Sequence, residues 1–105
     1  MTTNPKDGIK RNGVSLPFAP VGAHTQNASL SSAATITVPG GATQWMVQAL
    51  TQNVNFTLDG TTATSTVGFT LTAGNPVIIV PVYPGQTISA IEIAATATLK
   101  YQFGA

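Results

Sequence analysis

Few side chains in this sequence have the chemistry for a catalytic or ligand-binding site. They are His24, the carboxylates Asp7, Asp59 and Glu92, and the polar-edged aromatics Trp45, Tyr83 and Tyr101. A nucleophilic triad needs a histidine base oriented by an acid. His24 is the single candidate base, and it sits between Ala23 and Thr25 in a segment rich in Pro and Gly. No Gly-x-Ser-x-Gly elbow accompanies it. Glycoside hydrolysis needs two carboxyls flanking one bond. Asp7 lies near the N-terminus, Asp59 belongs to an Asp-Gly turn, and Glu92 alternates with Ile91 and Ile93, which predicts a solvent-facing carboxylate. Phosphate loops of the Gly-x-x-x-x-Gly-Lys type are absent. Three carboxylates are too few for a calcium cage, and without cysteine there is no thiolate metal site or disulfide framework. The expectation is therefore no enzyme, no cofactor and no metal. Trp45, Tyr83 and Tyr101 are the side chains for a sugar-stacking platform, with Tyr83 beside Pro84-Gly85 the best placed to be exposed.

The elements that would position these groups follow from composition and pattern. Only seven of 105 residues are charged, where an ordinary domain carries roughly 25%. Four basic residues make no cationic face, so nucleic acid is not an expected partner. No apolar run approaches the ~20 residues of a membrane-spanning helix, so no membrane is expected either. The first residues hold no apolar stretch of the kind that opens a secretory signal. Polarity is supplied instead by Thr, Ser, Asn and Gln, with Thr alone at 17 positions. Threonine is β-branched and suits a pleated, half-solvated surface.

Four of the seven charges, Lys6, Asp7, Lys10 and Arg11, fall in the first eleven residues. Residues 1–32 also carry Pro5, Gly8, Gly13, Pro17, Pro20 and Gly22, and read as an N-terminal arm. The alternation Val14-x-Leu16-x-Phe18 within it suits a segment that orders on a neighbour. From residue 33 the apolar period becomes two. Strands are predicted to start near residues 34, 45, 54, 67, 77, 87 and 96, separated by Gly-, Pro- and Asn-rich turns. Val77–Val82 is apolar throughout, as in a strand covered on both sides, and Pro81 marks an edge or bulge at its end. A phase change between Ile88/Ala90 and Ile91/Ile93 predicts a bulge near Ala90. The predicted core is Ile36, Val38, Val47, Phe56, Leu58, Phe69, Leu71, Ile79, Ile91, Leu99, Tyr101 and Phe103. Residues 33–105 thus read as one antiparallel β-sandwich, jelly-roll or immunoglobulin-like, of seven to eight strands and essentially no helix.

The run Val54-Asn-Phe-Thr-Leu-Asp-Gly-Thr-Thr-Ala-Thr, then Val67-Gly-Phe-Thr-Leu and Ala73-Gly-Asn-Pro, resembles a hairpin of small structural proteins of tailed-phage virions. So does the ending Ala94-Ala-Thr-Ala-Thr-Leu-Lys-Tyr-Gln-Phe. Ala63 stands where a proline is common in that hairpin. The same hairpin is similar to one in immunoglobulin-like modules attached to chitin-degrading enzymes. The resemblance covers roughly residues 45–103 and implies a head decoration or cement protein, located on the capsid surface and made in the host cytoplasm. Its implied partners are a major capsid protein or another virion protein, and further copies of itself as a homo-oligomer, a trimer. The alternatives are a tail- or fibre-associated protein and a carbohydrate-binding module. Candidate contacts are Lys10, Arg11, Val14, Leu16 and Phe18 on the arm, and Met46, Leu50, Ile78, Val80 and Tyr83 on the sandwich.

Overall fold

The computed structural model describes residues 17–105. They form eight strands: β1 (Thr25–Asn27), β2 (Ala34–Thr37), β3 (Gln44–Leu50), β4 (Val54–Thr57), β5 (Phe69–Leu71), β6 (Ile78–Pro81), β7 (Thr87–Glu92) and β8 (Thr98–Gly104). No helix occurs among the described residues. One sheet has the order β1-β8-β3-β6 and the other β2-β7-β4-β5, with every pairing antiparallel.

The connectivity has one rule. β4 pairs β5, β3 pairs β6, β2 pairs β7 and β1 pairs β8. The chain is thus one long hairpin, folded at the β4–β5 connection and rolled into two layers. That is the jelly roll, and it decides between the two sandwich types the pattern allowed. The Asp59-Gly60 motif lies in the connection at the fold of the long hairpin.

Alternation along the strands builds the core between the layers. β3 shows it cleanly: Trp45, Val47 and Ala49 are buried, while Gln44, Met46, Gln48 and Leu50 are half-exposed on the outer face. Trp45 lies at the centre, fully buried. Its indole meets Phe56 of the opposite sheet edge-on at 5.6 Å, meets Tyr101 edge-on at 6.0 Å and stacks on Phe103 at 6.5 Å. Edge-on aromatic pairs contribute ~0.5–1.5 kcal/mol each beyond area burial. Leu30, Val38, Val54, Ile88 and Leu99 close the remaining space.

Several expectations are corrected. Phe69 is 69% exposed and Ile79 is 50% exposed, although both were expected in the core. Phe69 has the right register, opposite Phe56, but β5 is an edge strand and the ring hangs over the rim, 5.9 Å from the Phe56 ring. Ile79 faces outward because its partner Met46 does. Val77–Val82 is covered on one flank only: β6 is the edge of its sheet, and only Val82 is buried. Pro81 sits at that edge, as its missing N–H requires. β7 runs without a bulge, since both its registers are continuous. Ile91 simply points outward, and Ile93 lies beyond the strand end. Leu58 and Tyr101 are half-buried at the core margin.

Of the segment 1–32, residues 17–32 are joined to the sandwich. Ala19 and Ala105 exchange backbone hydrogen bonds of 3.0 and 2.8 Å, and Val21 N–H donates to the Phe103 carbonyl at 2.8 Å. β1 continues this line along β8, and Leu30 is fully buried. Period-two patterning is too short here, three residues, to have marked a strand.

Glycine geometry yields a discriminating prediction. Gly68 has φ +128°, and a Cβ there would stand 2.8 Å from the Phe56 carbonyl oxygen. Gly60 also has positive φ, +88°, but open space around it. Gly68→Ala is expected to lower the urea midpoint clearly more than Gly60→Ala, because it adds a backbone clash to the conformational cost of ~1 kcal/mol that both share. Equal losses would contradict this packing.

Candidate functional site

The hairpin motif that carries the resemblance turns out to be a seal. Asn55, Thr57 and Ser89 alternate with core-facing neighbours, so they belong on the outer face of the β2-β7-β4-β5 sheet, yet all three are buried. The connection from Leu58 to Gly68 folds back over them. Asn55 Nδ2 donates to the Thr64 carbonyl at 3.0 Å. Ala63 N–H donates to Ser89 Oγ at 2.9 Å, and the Thr57 hydroxyl donates to the Thr61 carbonyl. Thr70 Oγ1 donates to Asn55 Oδ1 at 2.7 Å, fixing the amide. Ala63, within this strap, is 1% exposed. Gln86 ties in the neighbouring turn: its Nε2 donates to the Leu58 carbonyl at 2.9 Å and its Oε1 accepts the Tyr83 N–H at 3.0 Å.

Asp59 and Glu92, the two side-chain carboxylates among the described residues, both hold backbone. Asp59 Oδ1 accepts the Thr61 N–H at 3.0 Å, closing an Asx turn. This backbone donor holds the Asp59 carboxyl below its ordinary value of 3.8. Glu92 is not the solvent-facing carboxylate expected: it is half-buried, and Oε1 accepts the Ala97 N–H at 3.1 Å, bracing the β7–β8 connection. His24 lies beside β1, on the other sheet from the strap, so it and Asp59 cannot form a base–acid pair. Among the described residues no three of His, Cys, Asp and Glu cluster as metal ligands. The three aromatics do not make a platform, because Trp45 is fully buried and Tyr101 half-buried, leaving Tyr83 alone at 61% exposure. Burial raises the Tyr101 phenol above its ordinary value of 10.0.

Two openings remain. At the rim of the strap, Thr57, Leu58, Asp59, Thr61, Val67 and Phe69 line a shallow hollow of about 260 Å³. The other lies on the outer face and edge of the β1-β8-β3-β6 sheet. A shallow groove of about 200 Å³ crosses it, lined by His24, Met46, Gln48, Val77, Lys100 and Gln102. The Gln102 amide is held by the Gly22 carbonyl at 3.1 Å. Along one side of the groove runs β6 with its approach, where Val77, Ile78 and Ile79 are 47%, 43% and 50% exposed. Of the expected contacts, Met46 lies on the outer face opposite Ile79, while Ile78 and Val80 lie on the core-ward side of the same edge, so the structure does not gather the three on one face. Leu50 is half-exposed at the far end of β3, and Tyr83 stands on the turn after β6. Phe18 is half-buried with its ring over Gly104, where no Cβ would fit, so it belongs to the sandwich. Lys10, Arg11, Val14 and Leu16 lie outside the described residues. The expected contacts omitted Val77 and Ile79; unbroken apolarity signalled them, but it was read as burial.

Two outcomes test these assignments. Asn55→Ala removes the buried amide that donates to the Thr64 carbonyl and accepts from the Thr70 hydroxyl, and is expected to cost about 1–3 kcal/mol in urea unfolding, while His24→Gln is expected to stay within ~0.5 kcal/mol. The lowered Asp59 pKa stabilises the fold above pH 3.8, and that contribution is lost as pH falls through the folded value. Asp59→Asn keeps the turn but removes this titration, so the acid limb of its stability profile is expected to flatten. An unchanged acid limb would contradict the assignment.

No protein-family model, curated protein or solved structure matches this chain.

Proposed function

We propose that this chain is a non-enzymatic virion structural protein of a tailed phage, a decoration or cement protein that binds the head shell. The single observation that carries the reading is the uncharged edge at residues 77–81, where Val77, Ile78 and Ile79 are each close to half-exposed. A free monomer gains nothing from such an edge, and natural sheets usually guard one with charge. A protein whose working state is packed against neighbours has a use for it. The resemblance of the 54–76 hairpin and the closing strand supports the same reading. So does the jelly roll by analogy, since viral capsid domains share it.

The chemistry of the polar residues agrees. Asp59, Glu92, Asn55 and Ser89 each hold backbone of their own fold, which supports a structural use of these groups. Shell proteins and further copies of this chain are the partners proposed, with neutral contact rather than charge steering their fit.

The test is fractionation of virions of the phage that encodes the chain. Heads and tails are separated and probed with an antibody raised against the full-length protein. The chain is expected in the head fraction, at a stoichiometry near that of the shell subunits. Recovery with tails alone would move it to the tail- or fibre-associated class. Absence from both fractions, with retention on polysaccharide that is lost in Tyr83→Ala, would replace the virion reading with a carbohydrate-binding one.

A further inference from the structure

The open edge at β6 has a definite hydrogen-bonding parity. Val82 N–H donates to the Thr43 carbonyl at 3.0 Å, in the same register that pairs Val80 with Trp45 and Ile78 with Val47. Antiparallel strands alternate between residues that bond the neighbour and residues that face away. Ile78, Val80 and Val82 therefore spend their backbone groups on β3. Val77, Ile79 and Pro81 turn theirs outward. Pro81 has no N–H, so the outward edge offers the N–H and C=O of Val77 and Ile79 and the C=O of Pro81.

We infer that a second copy of this chain pairs its own β6 here, antiparallel, about a two-fold axis at Ile79. In that register Ile79 of each copy exchanges both hydrogen bonds with Ile79 of the other. Val77 N–H of each copy meets the Pro81 carbonyl of the other. Every outward donor is used, and the one group Pro81 lacks falls opposite a Val77 carbonyl at the solvated end of the ladder. The side chains fit the same register. Ile78, exposed on the core-ward side, lies opposite the half-buried Val80 of the second copy. The two Ile79 side chains meet on the outer face, each flanked by its own Met46. The two four-stranded sheets become one of eight strands.

A second copy suits this edge better than another partner for two reasons. The edge is self-complementary, which is what an isologous two-fold contact demands. It also carries no charge: residues 77–82 have none, and Lys100, the nearest charged residue of that sheet's strands, lies two strands in on β8. Two copies can therefore approach without like-charge repulsion. The other three edges are uncharged as well, but none offers a comparable run of exposed aliphatic side chains. β1 is Thr-Gln-Asn, β2 presents Thr35 and Thr37, and β5 has three residues beside the strap. A ladder this short, with its few flanking side chains, is smaller than a standard interface of ~1,600 Å², so the dimer is expected to form and dissociate with concentration.

The test is sedimentation of the full chain across the micromolar range, with two variants. The wild type is expected to pass from one to two chain masses as concentration rises. Ile79→Lys sets like charges face to face at an already exposed position. It is expected to weaken dimerisation at least ~10-fold, or about 1.4 kcal/mol, while the near-ultraviolet circular dichroism from Trp45 stays unchanged. The chain has no cysteine, so Ile79→Cys is expected to form a cross-linked dimer under mild oxidation, and Thr35→Cys on β2 is expected not to. A monomer at all concentrations, a trimer, or a dimer that neither Ile79 variant affects would each overturn the pairing. A trimer would leave the virion reading standing, and absence from heads would leave the pairing standing, so the two proposals fail separately.

Discussion

The structure depends on a buried polar seam. Asn55, Thr57 and Ser89 give the outer face of one sheet a row of uncharged hydrogen-bonding groups, and the strap from Leu58 to Gly68 satisfies them with its own backbone. A buried amide or hydroxyl is tolerable only when its partners are present. A buried charge would cost far more. The scarcity of charge in this chain is thus tied to its architecture: a sheet face that must be covered by its own loop is served by Thr, Ser and Asn, which bond backbone without a desolvated ion. The strap covers that polar row but not the strand rim, where Phe69 stays exposed, and the β1-β8-β3-β6 sheet has its own apolar margin at β6.

The long-hairpin topology explains why the seam lies where it does. β4 and β5 are the tip of the rolled hairpin, and the chain between them is long enough to fold back on its own strands. The Asp-Gly turn starts that return, Ala63 is small enough to lie flat against Ser89, and Gly68 passes the Phe56 carbonyl where a side chain would collide. Asn55, Thr57, Asp59, Ala63 and Gly68 are each set by contact with backbone or with the strand beneath.

Much of the fold was legible in residues 33–105. Trp45, Val47 and Ala49 alternate so regularly that the inward face of β3 could be read directly, and the turns at Pro39-Gly40-Gly41 and Tyr83-Pro84-Gly85 bound their strands. The errors at Phe69 and Ile79 share one cause. Period two tells which residues share a face but not whether the strand is central or an edge. Phe69 and Ile79 have sound phases and stand on edge strands, so they are exposed. Glu92 looked solvated because its neighbours are isoleucines, yet its carboxylate was needed five residues later at Ala97. β1 was invisible because three residues, Thr-Gln-Asn, pair with β8 through backbone alone. The open edge became visible only once the strand order put β6 on the outside.

The central claim is a division of surfaces: one sheet sealed within the chain, the other open at β6 to a second copy. Amide hydrogen exchange at two protein concentrations measures both halves at once. The account predicts that Ala63 N–H, bonded to Ser89 Oγ, is protected equally at both concentrations, whereas Val77 and Ile79 N–H exchange rapidly when dilute and slow as concentration rises. Fast exchange at Ala63, or rates at Val77 and Ile79 that ignore concentration, would contradict it.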